Sequence, residues 1–295
     1  MSNLDSKRNY ALQQMRINIL WNEGYYGDDI KIGVVDTGVD FNHVMLKDKV
    51  IGGKNFSSEG SSQDIFDYNY HGTAVSSLIC GDYINYKAYG VAPNSKIIIA
   101  KALNSKGFGT LDSIANAINY CVEQGCDIIN CSAGAIMNSD ALENAVKNAV
   151  ANNVSVVVAS GNDGHNDPNG EFTEKSYPAS YDDSICVGAM DINYVVAGFS
   201  NSSEFVDIVA PGVDILCAYP ENKYALISGT SFACPLISGT LALLKQKFRI
   251  ERKREPSESE LYGELMKYTR KLEDIDYKMQ GSGYVDLGIK RIRRK

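Results

Sequence analysis

The sequence predicts one α/β domain, on three observations. Short aliphatic runs, Ile30 to Val35, Lys96 to Leu103, Asp127 to Cys131 and Val154 to Val158, read as inner strands because they lack the polar face of a half-exposed strand. Between them lie helical patterns such as Leu111 to Glu123, where Ile114, Ala117, Ile118 and Cys121 fall at i, i+3, i+4 and i+7. The chain has 295 residues and 44% hydrophobic content, enough for one large core, and no shift in composition separates two domains.

In chain order, Trp21 to Gly27 is a turn-rich entry to the first strand. Asp36 follows that strand directly, at the carboxyl end where open α/β sheets place functional groups. A polar loop from Ser57 to Asp67 leads through Tyr68, Asn69 and Tyr70 to His71, which opens a helical apolar pattern. Gly107-Phe108-Gly109-Thr110 precedes the helix at Leu111, and Ser139 or Asp140 caps a helix over Ala141 to Ala151. The β-branched strand after Val154 ends in Gly161-Asn162-Asp163-Gly164, which is turn chemistry on its face. Ser228-Gly229-Thr230-Ser231 is a tight turn feeding the apolar run Leu236 to Leu244. The charge run Arg249 to Glu260, around Pro256, reads as a solvated helix end and loop.

A formal charge of -7 argues against nucleic acid or an anionic membrane as the main partner. Residues 1–20 contain no apolar signal region and no later run reaches membrane-spanning length, so the expectation is a cytoplasmic protein. Residues 1–20 are read as an N-terminal extension ahead of a single domain over residues 21–295. The seven cysteines, Cys80, Cys121, Cys126, Cys131, Cys186, Cys217 and Cys234, form no Cys-x-x-Cys pair and are expected as reduced, buried thiols. His43 and His165, in polar surroundings, are expected as solvated side chains, and the basic tail Lys290 to Lys295 as a solvated end.

Three short motifs carry chemistry. Ser231 sits near a helix N-terminus, where free N–H groups and the dipole favour a developing oxyanion. A serine before a helix is most often only an N-cap. Here, however, Asp36 and His71 precede it, and nucleophilic catalysis by serine needs a base for the hydroxyl proton and a carboxylate that orients the base. Asp36-Thr37-Gly38 is also the signature of aspartic proteases, but those need two carboxylates sharing a proton, and only one Asp-Thr-Gly occurs. The order Asp, His, Ser, each with its flanking Gly and Thr, resembles the subtilisin-like serine proteases, or subtilases. Gly52-Gly53-Lys54-Asn55-Phe56 and the acidic loop after it resemble the intracellular branch of that family.

The resemblance covers about Trp21 to Leu244, with Gly281 to Asp286 resembling the family's closing turn. It implies a three-layer fold with a mostly parallel central sheet and helices on both faces. It further implies serine endopeptidase activity, with Asn162 as the oxyanion-hole donor beside the triad Asp36, His71 and Ser231. Gly107, Phe108 and Gly109 would form an edge strand that pairs with an extended peptide or protein substrate, Ser132, Ala133 and Gly134 would pair its other side, and Leu111 would join Phe108 in an apolar subsite. Ala159, Ser160 and Gly161 complete the substrate-binding set. Departures bear on metals. Met45 replaces a calcium-binding aspartate, and the loop Asp82 to Ala88 lacks the family's oxygen ligands and adds Lys87, so the main calcium site is expected to be lost and no cofactor is expected. No blocking segment of the intracellular type is visible in residues 1–20, which tilts the expectation toward cleavage of a chosen precursor or leader peptide over bulk protein turnover. The competing class is a subtilase-like protein that holds peptides without cutting them; intact Asp36, His71, Asn162 and Ser231 argue against it.

Overall fold

The computed structural model describes residues 10–83, 88–164 and 173–289. Two short helices, α1 (Tyr10–Gln14) and α2 (Asn18–Asn22), precede β1 (Lys31–Asp36) and β2 (Val50–Asn55). Helix α3 (His71–Cys80), the short strands β3 (Asp82–Tyr83) and β4 (Ala88–Tyr89), and β5 (Lys96–Lys101) follow. Then come α4 (Leu111–Glu123), β6 (Ile128–Cys131), α5 (Asp140–Ala151), β7 (Ser155–Ala159), β8 (Ile185–Met190) and β9 (Ile208–Pro211). The hairpin β10 (Ile215–Tyr219) and β11 (Lys223–Ile227) feeds the long α6 (Thr230–Arg252). The described chain closes with α7 (Glu258–Met266), β12 (Thr269–Arg270), α8 (Tyr277–Gln280) and β13 (Tyr284–Val285).

Nine strands form the central sheet in the order β12-β13-β9-β8-β7-β6-β1-β5-β2. Only the β12–β13 pair is antiparallel. Successive side chains of a strand point to opposite faces, so the runs that looked uniformly apolar divide between two cores. Val34, Ile97, Ile99, Ile128 and Val157 join one core with α3 and α6; Val35, Ile98, Ala100, Ile129, Val156 and Val158 join the other with α4 and α5. The three-layer fold follows directly from that alternation.

Local chemistry sets the helix boundaries. Thr110 and Ser113 form a reciprocal capping box at α4, and Ser139 caps α5 by accepting from the Leu142 N–H. Helix α6 outruns the apolar segment that announced it, reaching Arg252 before Lys253 turns it off in the left-handed region at φ 55°. Its basic end is not wholly solvated, because Arg249 donates to Asp127 and to the Asp29 carbonyl. Residues 10–20 pack into the first core through Tyr10, Leu12, Met15, Ile17 and Leu20.

One expectation fails outright. His43 is fully buried, its Nδ1 accepting from the Met45 N–H at 3.2 Å and its Nε2 donating to the Lys223 carbonyl at 3.0 Å. Its two ring nitrogens satisfy backbone groups of its own turn and of the start of β11, and burial pushes its pKa below the usual value. All seven cysteines are buried free thiols. No helix among the described residues is long and apolar enough to cross a membrane. His165, residues 1–9, residues 84–87 with Lys87, and the tail 290–295 lie outside the described residues.

Candidate active site

Strand β1 lies inside the sheet between β5 and β6, so the residue at its carboxyl end is deeply buried; that residue is Asp36. Helix α3 begins alongside. Its second residue, Gly72, lies so close to the loop after β1 that a Cβ would stand 2.1 Å from the Gly38 carbonyl oxygen, and the missing side chain is what lets His71 reach the strand end. His71 Nδ1 donates to Asp36 Oδ1 at 2.8 Å, and the Thr37 N–H donates to the same oxygen at 2.7 Å. A carboxylate only accepts, so this bond fixes the proton on Nδ1 and leaves Nε2 with its lone pair. Burial opposes a charge on His71, but the Asp36 carboxylate, its hydrogen bond and the Asp67 carboxylate outweigh burial and raise the pKa above the usual histidine value.

Ser231 is the second residue of α6, behind Gly229, whose φ of 155° is open to glycine and strained for other residues. Its hydroxyl is turned to the Ser132 carbonyl at 3.2 Å. The next residue, Phe232, packs on the imidazole of His71 with ring centroids 5.4 Å apart, which places the serine turn against the histidine. The main chain of Ser231 is anchored from the other side. Pro235, four residues on, has no N–H to offer the Ser231 carbonyl, and the Ser132 hydroxyl donates to that oxygen instead, at 3.0 Å. Behind Ser132 stands Asn130, fully buried, whose amide donates to the Ser132 hydroxyl and accepts from Ser238 and Cys234.

Asn162 lies just past the end of β7. Its Oδ1 accepts from the Thr230 N–H at 2.9 Å and from the Thr230 hydroxyl at 3.1 Å. A backbone N–H can only donate, so the oxygen assignment is forced and Nδ2 is turned to the open side of the group. Asn162 and Ser231 line one cavity of about 320 Å³, together with Ser132 to Ile136, Ala159 and Gly161. A second groove of about 480 Å³ holds His71 with Leu103, Gly107, Phe108, Gly109, Leu111 and Ser132 to Ala135. The shared wall, Ser132 to Ala135, makes the two one continuous cleft running past the histidine and the serine.

Two expectations about the cleft are corrected. Gly107 to Gly109 form no strand: the segment is a turn closed by Asn104, whose side chain accepts from the Phe108 N–H while its own N–H donates to the Phe108 carbonyl. Phe108 stands 70% exposed at the lip. Ser160 does not line the cleft; it is buried, its N–H spent on the Val187 carbonyl. Sequence reasoning also passed over Thr230, Asn130 and Asp67. The signal for Thr230 and Asn130 was present in the motifs Gly-Thr-Ser and Asn-x-Ser, but their partners lie some 68 to 108 residues away in the chain.

The calcium expectation can be set against the described residues. Met45 is buried with its methyl group packed toward Gly81, and the Asp82 carboxylate of the adjoining loop faces the Lys49 ammonium at 3.9 Å. A thioether and an ammonium do not fit a hard cation that takes six or more oxygens. No group of three or more His, Cys, Asp or Glu able to hold a metal occurs among the described residues.

Comparison with known proteins fits this geometry. The subtilase family matches residues 27–283. The chain is 42% identical over 271 residues to the major intracellular serine protease of Bacillus subtilis (strain 168), covering 91% of this chain and 84% of that one. It is 40% identical over 279 residues to the intracellular serine protease of Paenibacillus polymyxa, covering 94% and 84%. Subtilisin DY of Bacillus licheniformis is 38% identical over 239 residues, covering 81% and 85%. With the family matched over residues 27–283 and relatives of this kind over more than nine-tenths of its length, the chain belongs to the subtilase family and is a subtilisin-like serine endopeptidase.

Proposed function

We propose that the protein cleaves peptide bonds in extended peptides inside the cell, with Asp36, His71 and Ser231 as its triad and Asn162 as its oxyanion donor. The observation that carries the reading is the Nδ1–Oδ1 bond of 2.8 Å between His71 and Asp36, beside a serine at a helix N-terminus. In the reaction, the Ser231 hydroxyl swings from the Ser132 carbonyl toward His71 Nε2, which takes its proton as Oγ attacks the scissile carbonyl carbon. The developing oxyanion is held by Asn162 Nδ2 and by the Ser231 N–H, one of the free donors of the first turn of α6. The proton passes from Nε2 to the leaving amine, and water, deprotonated by His71, then releases the acid from Ser231.

Gly107 to Leu111 and Ser132 to Gly134 are the two flanks of the substrate, and Ala159 and Gly161 floor the cavity at the serine. Phe108 and Leu111 favour an apolar residue before the scissile bond. The intracellular setting is supported by the names of the first two relatives, both intracellular serine proteases. Cleavage of a precursor or leader is the narrower form of the reading. Activity is expected to need no calcium at the Met45 position, so a chelator at equilibrium should leave the rate unchanged.

A fluorophosphonate probe is expected to label the wild type and not Ser231→Ala, while Ser231→Ala keeps the native circular dichroism. Absence of labelling in the wild type would support the peptide-binding reading. Mass-spectrometric mapping of cuts in a peptide library then separates the narrower reading from bulk turnover: a few cut sites sharing one sequence support the former, and broad cutting the latter.

A further inference from the structure

Asp67 is a carboxylate with 1% exposure that the catalytic steps above do not use. Both of its oxygens are fully committed. Oδ1 accepts from the Thr37 hydroxyl at 2.9 Å, the Asn69 N–H at 2.9 Å and the Tyr70 N–H at 3.1 Å. Oδ2 accepts from the Thr73 N–H at 2.9 Å and the Thr73 hydroxyl at 2.6 Å. Every one of these donors flanks a triad residue: Thr37 follows Asp36, and Asn69, Tyr70 and Thr73 surround His71. The Thr37 hydroxyl that donates to Asp67 also accepts from the Gly72 N–H at 3.0 Å, closing a loop from the strand end to the helix start.

What this loop holds is a strained backbone. Tyr70, the residue before His71, sits at φ 149°, a conformation that side-chain-bearing residues rarely adopt. Strain persists where surrounding contacts over-determine it, and here the contact is the Tyr70 N–H on Asp67. We propose that Asp67 is a positioning residue of the active site: by gathering the backbone on both sides of His71 it fixes the imidazole on Asp36, and its charge stabilises the imidazolium formed during turnover. This rests on the triad reading given above.

The groups facing His71 can be named. Asp36 comes from β1, Asp67 from the loop before α3, the Tyr70 ring from that same loop and the Phe232 ring from α6. Behind Asp67, at the end of β5, stands Lys101, itself 1% exposed, which donates to the Phe66 carbonyl at 2.6 Å and lies over the Tyr68 ring. Asp64, Asp67 and Glu59 face that ammonium. The raised pKa of His71, set by Asp36 first and Asp67 after it against the opposing effect of burial, agrees with a second carboxylate acting on the ring.

The test is the acid limb of kcat/KM, joined to the NMR titration of His71 in a Ser231→Ala background, where only three histidines need assignment. Asp67→Asn is expected to move both the limb and the titration to lower pH by roughly half a unit or more, and to lower kcat more than it raises KM. Lys101→Met, which removes the ammonium facing Asp67 and leaves an apolar side chain of similar size, is expected to move both the other way. Thr73→Val, which removes a donor and keeps the carboxylate, is expected to lower stability with the limb in place. If Asp67→Asn does not fold, the Lys101→Met titration decides. An unmoved limb and an unmoved His71 titration in the folded variants would overturn the proposal and leave Asp67 a purely structural cap. Because the titration needs no turnover, a shifted His71 in a chain that hydrolyses nothing would count against the protease reading and not against Asp67.

Discussion

Asn162 acts through one amide group, and Thr230 decides which way that amide faces. Asn162→Ala removes the Nδ2 donor and leaves the triad, so kcat is expected to fall by roughly a hundred- to a thousand-fold with KM little changed, the loss known for this donor in a subtilisin of the same family. Single-turnover kinetics with an ester substrate check it. His71 is the other residue whose surroundings set a direction, here for the pH dependence. As the base it must be neutral, and its pKa is raised, so activity is retained at high pH and falls as pH drops through the raised value. The midpoint of kcat/KM is expected above about 6.5, the ordinary histidine value. A midpoint below it would contradict the Asp36 and Asp67 fields. At this scale the triad was legible because each member carries its own local motif. Thr230 was not, since its role consists of contacts to Asn162, 68 residues away, and Asp67 was not, since the Thr37 hydroxyl that ties its turn to the strand end lies 30 residues back.

Elements bring these residues together, and α6 does most of it. Its N-terminus presents Ser231, its middle fills the first core, and its last turns are pinned beneath the sheet. Asp127, just before β6, accepts from the Lys245 ammonium at 2.9 Å, the Arg249 guanidinium at 2.5 Å and the Lys31 N–H at 2.8 Å. Lys245 is almost wholly buried, so Asp127→Ala strands a cation in the interior. The cost is expected at about 3 kcal/mol or more, read as a lower midpoint in urea, whereas Asp127→Asn should cost less. Strand and helix positions were legible to within a residue or two for β1, α4 and α5, whose periodicity and caps are complete in themselves. The turn at Gly107 to Gly109 was misread as a strand because Asn104, which closes it, looks like any loop asparagine. His43 was misread because burial is imposed from outside, by the hairpin residues Lys223 and Tyr224.

Across the whole molecule, the parallel sheet aligns the carboxyl ends of β1, β6 and β7 on one edge, and that is why Asp36, Ser132 and Asn162 meet beside the start of α6. An α/β fold was legible from its apolar runs; the order of the strands was not, since it depends on pairings between distant segments. That order has a consequence for how the enzyme comes into being. Strand β1 is synthesised first but is walled on one side by β5 and on the other by β6, and the nucleophile arrives only with α6, near the end of the chain. A half-made or half-melted molecule therefore holds no scissors at all. During refolding, hydrolytic activity is expected to return only with the last global near-ultraviolet signal, and recovery ahead of that signal would show the site assembling without the sheet. The order of strand pairings thus keeps an unfinished copy of such a protease from cutting its neighbours.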